Sequence, residues 1–263
     1  MSRAVRLSWP DVQPLQLWDL PLGDGRCFWQ AVSARRVEDL REEGWHEGAI
    51  GARIAAGVVA GCRALPHRFK GVHLFGGLAL LSGLRETLTT LRTPWPFYVS
   101  SGSPRDYALY AKRYLFGSEP MIVVDVGQTT IKGYLPDGTR FLFVRDTTLI
   151  PYGACPDKAD RAVQFVKSAI ASLRSVVPTA AVLMALPAPV DQHLVPGEST
   201  YGIDGRDTFV DEVIDDPSCP VFVMNDAELA AECARGEGGA AGGPRLVLSL
   251  GLGPGGALLA QGG

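Results

Sequence analysis

The chain has 263 residues, 46% of them apolar and 20% charged, with a net charge of −3. That length suits one large domain or two compact ones. The composition is that of a globular protein, and the charge offers no electrostatic footprint for nucleic acid or an anionic membrane.

Residues 1 to 30 are rich in Pro and Trp and hold short extended pieces, AVRLSW and LQLWDLPL. From about Val32 to Ala64 the pattern turns helical, first AVSARRVEDLREEG and then HEGAIGARIAAGVVAGCRAL. Small and apolar residues surround much of the second segment, which predicts a buried helix. GVHLFGG reads as a short strand ending in two glycines, and LALLSGLRETLTTL as an amphipathic helix after them. PFYVSS is another strand. SPRDYALYAKRYLFG is a helix capped near Ser103 and closed by Gly117.

MIVVDVGQTTIKGYLPDG, residues 121 to 138, reads as a buried strand, a polar turn and a second strand. TRFLFVRDTT follows as a third strand after the Pro136-Asp137-Gly138 turn. DKADRAVQFVKSAIASLRSV is an amphipathic helix with Ala162, Phe165, Val166, Ile170 and Leu173 on one face. TAAVLMALPAPV is a buried strand running into a Pro-rich loop. A polar, Gly-rich loop to Gly205 precedes the helix RDTFVDEVID. CPVFVMND is a strand ending in Asn225 and Asp226, and AELAAECARGEGG is a helix. PRLVLSLGLGPGGALLAQ is a strand, a Gly turn and a strand. The whole is α/β.

The longest apolar runs fall short of the roughly 20 residues that a membrane-spanning helix needs. The N-terminal residues carry no apolar core of a signal peptide. The five cysteines (27, 62, 155, 219 and 233) form no CxxC pair, and the four histidines show no metal-ligand spacing with them. Reduced thiols in a cytoplasm are the expectation.

Three glycine turns at strand ends point to phosphate chemistry. In the first, Gly127 lets the backbone approach an anion, Thr129 and Thr130 offer donors, and Lys132 offers a point charge. Asp125 ends a buried strand, where a carboxylate is costly without a partner such as magnesium. A plain hairpin with a surface lysine accounts for the same residues. In the second, LSLGLGPGGALL, four glycines in six residues allow amides to wrap a phosphate. Glycines serving only positive φ angles are the structural alternative. Pro254 lacks an amide donor there. In the third, Gly76 and Gly77 stand between a strand and a helix, where bare backbone suits either a nucleotide or close packing. Asn225 and Asp226 precede a helix. Asp226 is placed to take a proton from a hydroxyl, and capping with Glu228 is the structural alternative.

Together these motifs resemble the actin, Hsp70 and sugar-kinase ATPase superfamily, and within it the ROK sugar kinases. DVGQTTIK from Asp125 to Lys132 is similar to that family's opening hairpin D-x-G-x-T-x-x-K. LPAPVD from Leu186 to Asp191 is similar to its P-G-P-V-D loop, NDAELAAE from Asn225 to its N-D-A-x-x-A-A helix start, and GLGPGG from Gly251 to its G-T-G-x-G-G hairpin. The four occur in family order over residues 120 to 260. The parts that follow them in the family, ending in a strand, Gly-Gly and helix, are matched here by the first 118 residues. The resemblance therefore implies a two-lobed actin-like, ribonuclease H-like ATPase fold that is circularly permuted, with mixed sheets flanked by helices. Residues 1–118 would be equivalent to the family's C-terminal half and 119–245 to its N-terminal half. Residues 246–263 would return to the first lobe.

The resemblance implies ATP and Mg2+ as cofactors and a sugar or polyol as substrate. Asp226 would be the catalytic base. Asn225, Asp226, Pro187 and Asp191 would bind substrate, and Asp125 would orient the metal. Asp125, Gly127, Gln128, Thr129, Thr130 and Lys132 would lie near phosphates, as would Gly251, Gly253, Gly255 and Gly256. Gly76 and Gly77 would flank adenosine. Leu252 replaces the hydroxyl residue of the second phosphate loop, and the family's E-x-G-H sugar motif has no clear counterpart. Two other readings stay open: a non-catalytic nucleotide-binding module, and an ATPase acting on a protein partner. A homodimer also stays open; nucleic acid and membrane are not expected partners.

Overall fold

The computed structural model of the chain describes residues 4–100, 120–178, 180–236 and 243–260. The helix expected at 103–117 lies outside them. In chain order the elements are β1 (Ala4–Arg6), β2 (Val12–Leu15), α1 (Phe28–Ala31), α2 (Ala34–Glu42), α3 (Glu47–Ala64) and β3 (Gly71–Phe75). A 3-10 turn (Gly77–Leu80), α4 (Leu84–Thr90), β4 (Phe97–Val99), β5 (Met121–Val126), β6 (Thr130–Tyr134) and β7 (Arg140–Val144) follow. The last are α5 (Lys158–Arg174), β8 (Ala181–Leu186), α6 (Phe209–Val213), β9 (Val221–Asn225), α7 (Asp226–Gly236), β10 (Arg245–Leu250) and β11 (Pro254–Leu259).

The chain forms two compact units, Met1–Ser8 with Arg105–Leu229 and Trp9–Pro104 with Ala230–Gly263. Residues 1–8 group with the later segment because β1 pairs in parallel with β9, from Ala4 opposite Val221 to Arg6 opposite Val223.

The first unit holds a six-stranded mixed sheet in the order β1-β9-β8-β5-β6-β7. β5, β6 and β7 form an antiparallel meander, while β8 and β9 continue in parallel on the other side of β5. Every residue of β5 is buried, as expected of a strand covered on both faces. Alternate residues Ile122, Val124 and Val126 pack with Val163, Val166 and Ile170 of α5. Phe165, expected on the same face, is only partly buried against this core.

The second unit holds a five-stranded mixed sheet, β2-β11-β10-β3-β4. β10, β11 and β2 are antiparallel, while β3 and β4 continue in parallel beside β10. The two sheets thus share one pattern, three antiparallel strands on one side and parallel strands on the other, with three parallel strands (β8, β9 and β1) in the first sheet and two (β3 and β4) in the second. In the second sheet the third antiparallel strand, β2, lies in the first 15 residues of the chain. Leu259 of β11 stands opposite Val12, and the Ala260 amide donates to the Asp11 carbonyl at 2.7 Å. The core of this unit joins Val72, Leu74, Leu246 and Leu248 to Ile50, Ile54 and Val58 of α3.

Two expected helices differ. LALLSGLRETLTTL divides into the 3-10 turn and α4. At Gly83 the backbone takes φ +79, and a Cβ there would lie 2.4 Å from the Gly48 carbonyl oxygen. The close approach of α3 forces a left-handed glycine where the apolar pattern suggested a continuous helix. RDTFVDEVID is helical only over Phe209–Val213. Among the described residues no helix is long and apolar enough to cross a membrane.

Candidate functional site

In the first sheet β5, β8 and β9 are parallel, so their carboxyl ends share one edge, the usual place for ligands in such sheets. Asp125 lies at that end of β5 and stands directly opposite Lys132 on β6. Directly paired residues share a face. The Lys132 ammonium accordingly donates to Asp125 Oδ2 at 2.8 Å. Asp125 is 2% exposed, so the pair supplies the partner that a buried carboxylate needs. Lys132 was expected at a phosphate; here it neutralises Asp125.

The turn joining β5 to β6 is polarised. The Gly127 carbonyl accepts from the Tyr201 hydroxyl at 2.9 Å, and the Gln128 carbonyl from Arg145 Nη1 at 3.0 Å. The Thr129 carbonyl accepts from the Arg145 amide, and the Thr130 carbonyl from the Gly127 amide. The Gln128 side chain is held as well, accepting from Thr200 Oγ1 and donating from Nε2 to the Pro187 carbonyl at 3.4 Å. Each carbonyl from Gly127 to Thr130 is thus tied back. The amides of Gln128 and Thr129 donate to none of the described residues. A turn with its acceptors occupied and two donors open is suited to an anion.

The sequence pattern places Arg145 in the strand TRFLFVRDTT; β7 ends at Val144, one residue before it. Arg145 is 4% exposed. Its other donors go to the Ile150, Pro151 and Thr200 carbonyls and to Thr200 Oγ1, and its guanidinium lies on the rings of Tyr152 and Tyr201. Nothing in the local sequence signals its burial, which comes from residues 150–152 and 200–201.

At the end of β9, Asn225 caps α7. Its side-chain oxygen accepts from the Ala227 amide at 2.9 Å, and its own backbone amide donates to Glu228 Oε2 at 2.8 Å. This is the reciprocal bonding of a capping box. The Asn225 side-chain amide donates to the Leu186 and Ala188 carbonyls. Asn225, expected to hold substrate, therefore spends its donors on the neighbouring loop. Glu228 is 1% exposed and accepts from Arg6 Nη2 with both oxygens, while Arg6 Nε donates to the Val190 carbonyl.

Asn225 and Glu228 form the cap, and Asp226 stands at the first position of α7. Burial, and then the charge of nearby Asp125, push its carboxyl up to about 7. Asp191, also expected at substrate, closes its own turn by accepting the His193 and Val195 amides at 2.8 and 2.9 Å.

In the second unit, Gly76 and Gly77 follow β3 and Gly251 follows β10, at the shared carboxyl edge of two parallel strands. None of Gly251, Gly253, Gly255 and Gly256 has a positive φ, which overturns the purely conformational reading of this turn. Gly253 and Gly256 are instead required by packing. A Cβ at Gly253 would lie 2.0 Å from the Trp18 ring, and one at Gly256 would lie 2.7 Å from Leu17. At Gly255 a Cβ would make an ordinary contact with Ser249. Gly76 needs φ +93 against the Leu250 carbonyl. Among the described residues a Cβ at Gly77 or Gly251 would meet nothing within 4 Å, and both have ordinary φ, so neither packing among those residues nor conformation explains them.

Among the described residues no group of three His, Cys, Asp or Glu is placed to hold a metal ion by itself. Magnesium does not need one, since it binds through one or two carboxylates together with phosphates and water. Asp125 fits that role. It is a buried carboxylate beside a second one, Asp226, with Lys132 as its ion-pair partner. No model of a known protein family matches the chain, and no curated protein matches it.

Proposed function

We propose that the chain is an ATP-dependent phosphotransferase acting on a hydroxyl of a sugar or a similar small molecule, in the manner of the ROK kinases it resembles. The observation that carries this reading is the polarised turn at Gly127–Thr130 beside the Asp125–Lys132 pair and Asp226. The shared strand pattern of the two sheets supports the duplicated ribonuclease H-like architecture of actin-like ATPases. The pairing of β11 with β2 is what a circularly permuted order would require.

The open amides of Gln128 and Thr129 would hold phosphate oxygens, beside the Asp125–Lys132 pair. Asp226 would take the proton of the attacking hydroxyl, for which a carboxyl tuned near neutrality is suited. Asp125 would hold magnesium, which when bound neutralises charge on the phosphates. Gly77 and Gly251 leave bare backbone for the nucleotide to approach. A soluble cytoplasmic enzyme fits this reading.

A second reading is a nucleotide-binding module without phosphotransfer. It is favoured by Asn225 and Asp191, whose polar groups serve their own loops. ADP release with magnesium and ATP, measured against a panel of hexoses, N-acetylated sugars and a no-sugar control, separates the two. Sugar-dependent release supports the kinase. Sugar-independent release points to an ATPase. Silence with retained nucleotide binding points to the module.

A further inference from the structure

We infer that Arg145 is the positioning residue of the phosphate turn, holding its acceptors back and carrying a buried positive charge whose counter-charge arrives with the ligand's phosphate. The inference rests on the nucleotide reading above. Three observations carry it. Among the described residues no carboxylate lies within ion-pair distance of the Arg145 guanidinium, although that side chain is 4% exposed. All five of its donors are used, on three carbonyls beyond the turn, the Thr200 hydroxyl and the Gln128 carbonyl. One of the two rings it lies on binds the same turn, because Tyr201 donates to the Gly127 carbonyl; the other, Tyr152, belongs to the loop whose Ile150 and Pro151 carbonyls Arg145 grips.

The surroundings add positive charge. Lys158 Nζ donates to the carbonyls of Tyr152 and Gly153, at 2.9 and 2.8 Å. Its ammonium is drawn below the usual range by burial and then by Arg145, with Asp204 a smaller opposing influence. Asp125, on the strand that leads into the turn, is paired with Lys132. A buried guanidinium bonded only to neutral acceptors is costly. An anion seated on the Gln128 and Thr129 amides lowers that cost, and the protein gains affinity for phosphate in return. A planar fork that reaches several carbonyls at once cannot be replaced by a single ammonium.

The test is titration calorimetry of ADP, inorganic pyrophosphate and adenosine, each with magnesium, into the wild-type chain and into Arg145→Met, Arg145→Lys and Tyr201→Phe. Circular dichroism and melting establish that each variant is folded. For Arg145→Met, affinity for ADP and pyrophosphate is expected to fall at least tenfold while adenosine stays within twofold. Arg145→Lys keeps the charge and loses the fork, and should lie between. Tyr201→Phe keeps the ring under Arg145 but frees the Gly127 carbonyl, and should cost pyrophosphate three- to tenfold. If Arg145→Met does not fold, the other two variants decide. Wild-type affinity for pyrophosphate in the folded variants would overturn the inference and leave the nucleotide reading intact. A wild-type chain that binds neither ADP nor pyrophosphate would overturn both.

Discussion

Arg6 Nη2 donates to both carboxylate oxygens of Glu228, at 2.7 and 2.6 Å, and Glu228 in turn accepts the backbone amide of Asn225. One buried ion pair thus fastens β1 to the start of α7, where Asp226 sits. Removing Arg6 leaves a buried carboxylate without its partner, which costs about 3–5 kcal/mol. Arg6→Met should therefore show that loss in urea unfolding. Glu228→Gln in the same chain should restore most of it, because the amide still accepts from Asn225 and no charge is left buried. Equal stability of the single and double variants would contradict this account.

Gly77 and Gly251 separate a ligand role from a structural one. Their φ angles are ordinary and, among the described residues, a Cβ meets nothing within 4 Å. Gly77→Ala and Gly251→Ala should leave the melting temperature unchanged or slightly raised, since a compatible alanine stabilises by about 0.4–1 kcal/mol. Both should weaken ADP binding measurably. Gly51→Ala is the contrast. Its Cβ would lie 2.0 Å from the Ser82 carbonyl oxygen, so it should destabilise the protein by roughly 1–3 kcal/mol or more.

His73 gives the second unit an acid-sensitive point. It is 2% exposed on β3, stacks on Tyr98 with ring centres 4.7 Å apart, and its Nε2 has no hydrogen-bond partner among the described residues. Burial, and then the positive charge of Arg245, lower its pKa from 6.5 to about 4. The folded chain therefore prefers neutral imidazole. The sign follows from linkage: this contribution is complete above pH 6.5 and is lost as pH falls toward 4. Melting curves between pH 7 and 4.5 should show a steeper acid loss for the wild-type chain than for His73→Phe. Parallel curves would show that His73 does not titrate this way.

Much of the first unit was legible because its signals are local. The hairpin that carries Asp125 and Lys132 was legible from its apolar runs and the Gly127 turn, whereas the ion pair between them was not, because the pattern placed Lys132 at a phosphate. The cap was legible too, as Asn225 followed three residues later by Glu228. Arg145 was not, because what buries it lies as far away as Thr200 and Tyr201. Gly83 breaks a helical pattern for a reason that exists only once α3 has packed beside it. β1 has three residues and no pattern of its own; its place beside β9 is set by pairing and by the Arg6–Glu228 contact.

Under the proposed function Asp226 acts as a base beside the phosphate turn. The most direct measurement is single-turnover transfer of the γ-phosphate from ATP to the sugar that supports ADP release, in the wild-type chain and in Asp226→Asn. Loss of a positioned general base should slow transfer by about 10²–10⁴-fold while ADP affinity is retained. Transfer at the wild-type rate in a folded Asp226→Asn chain would contradict the account.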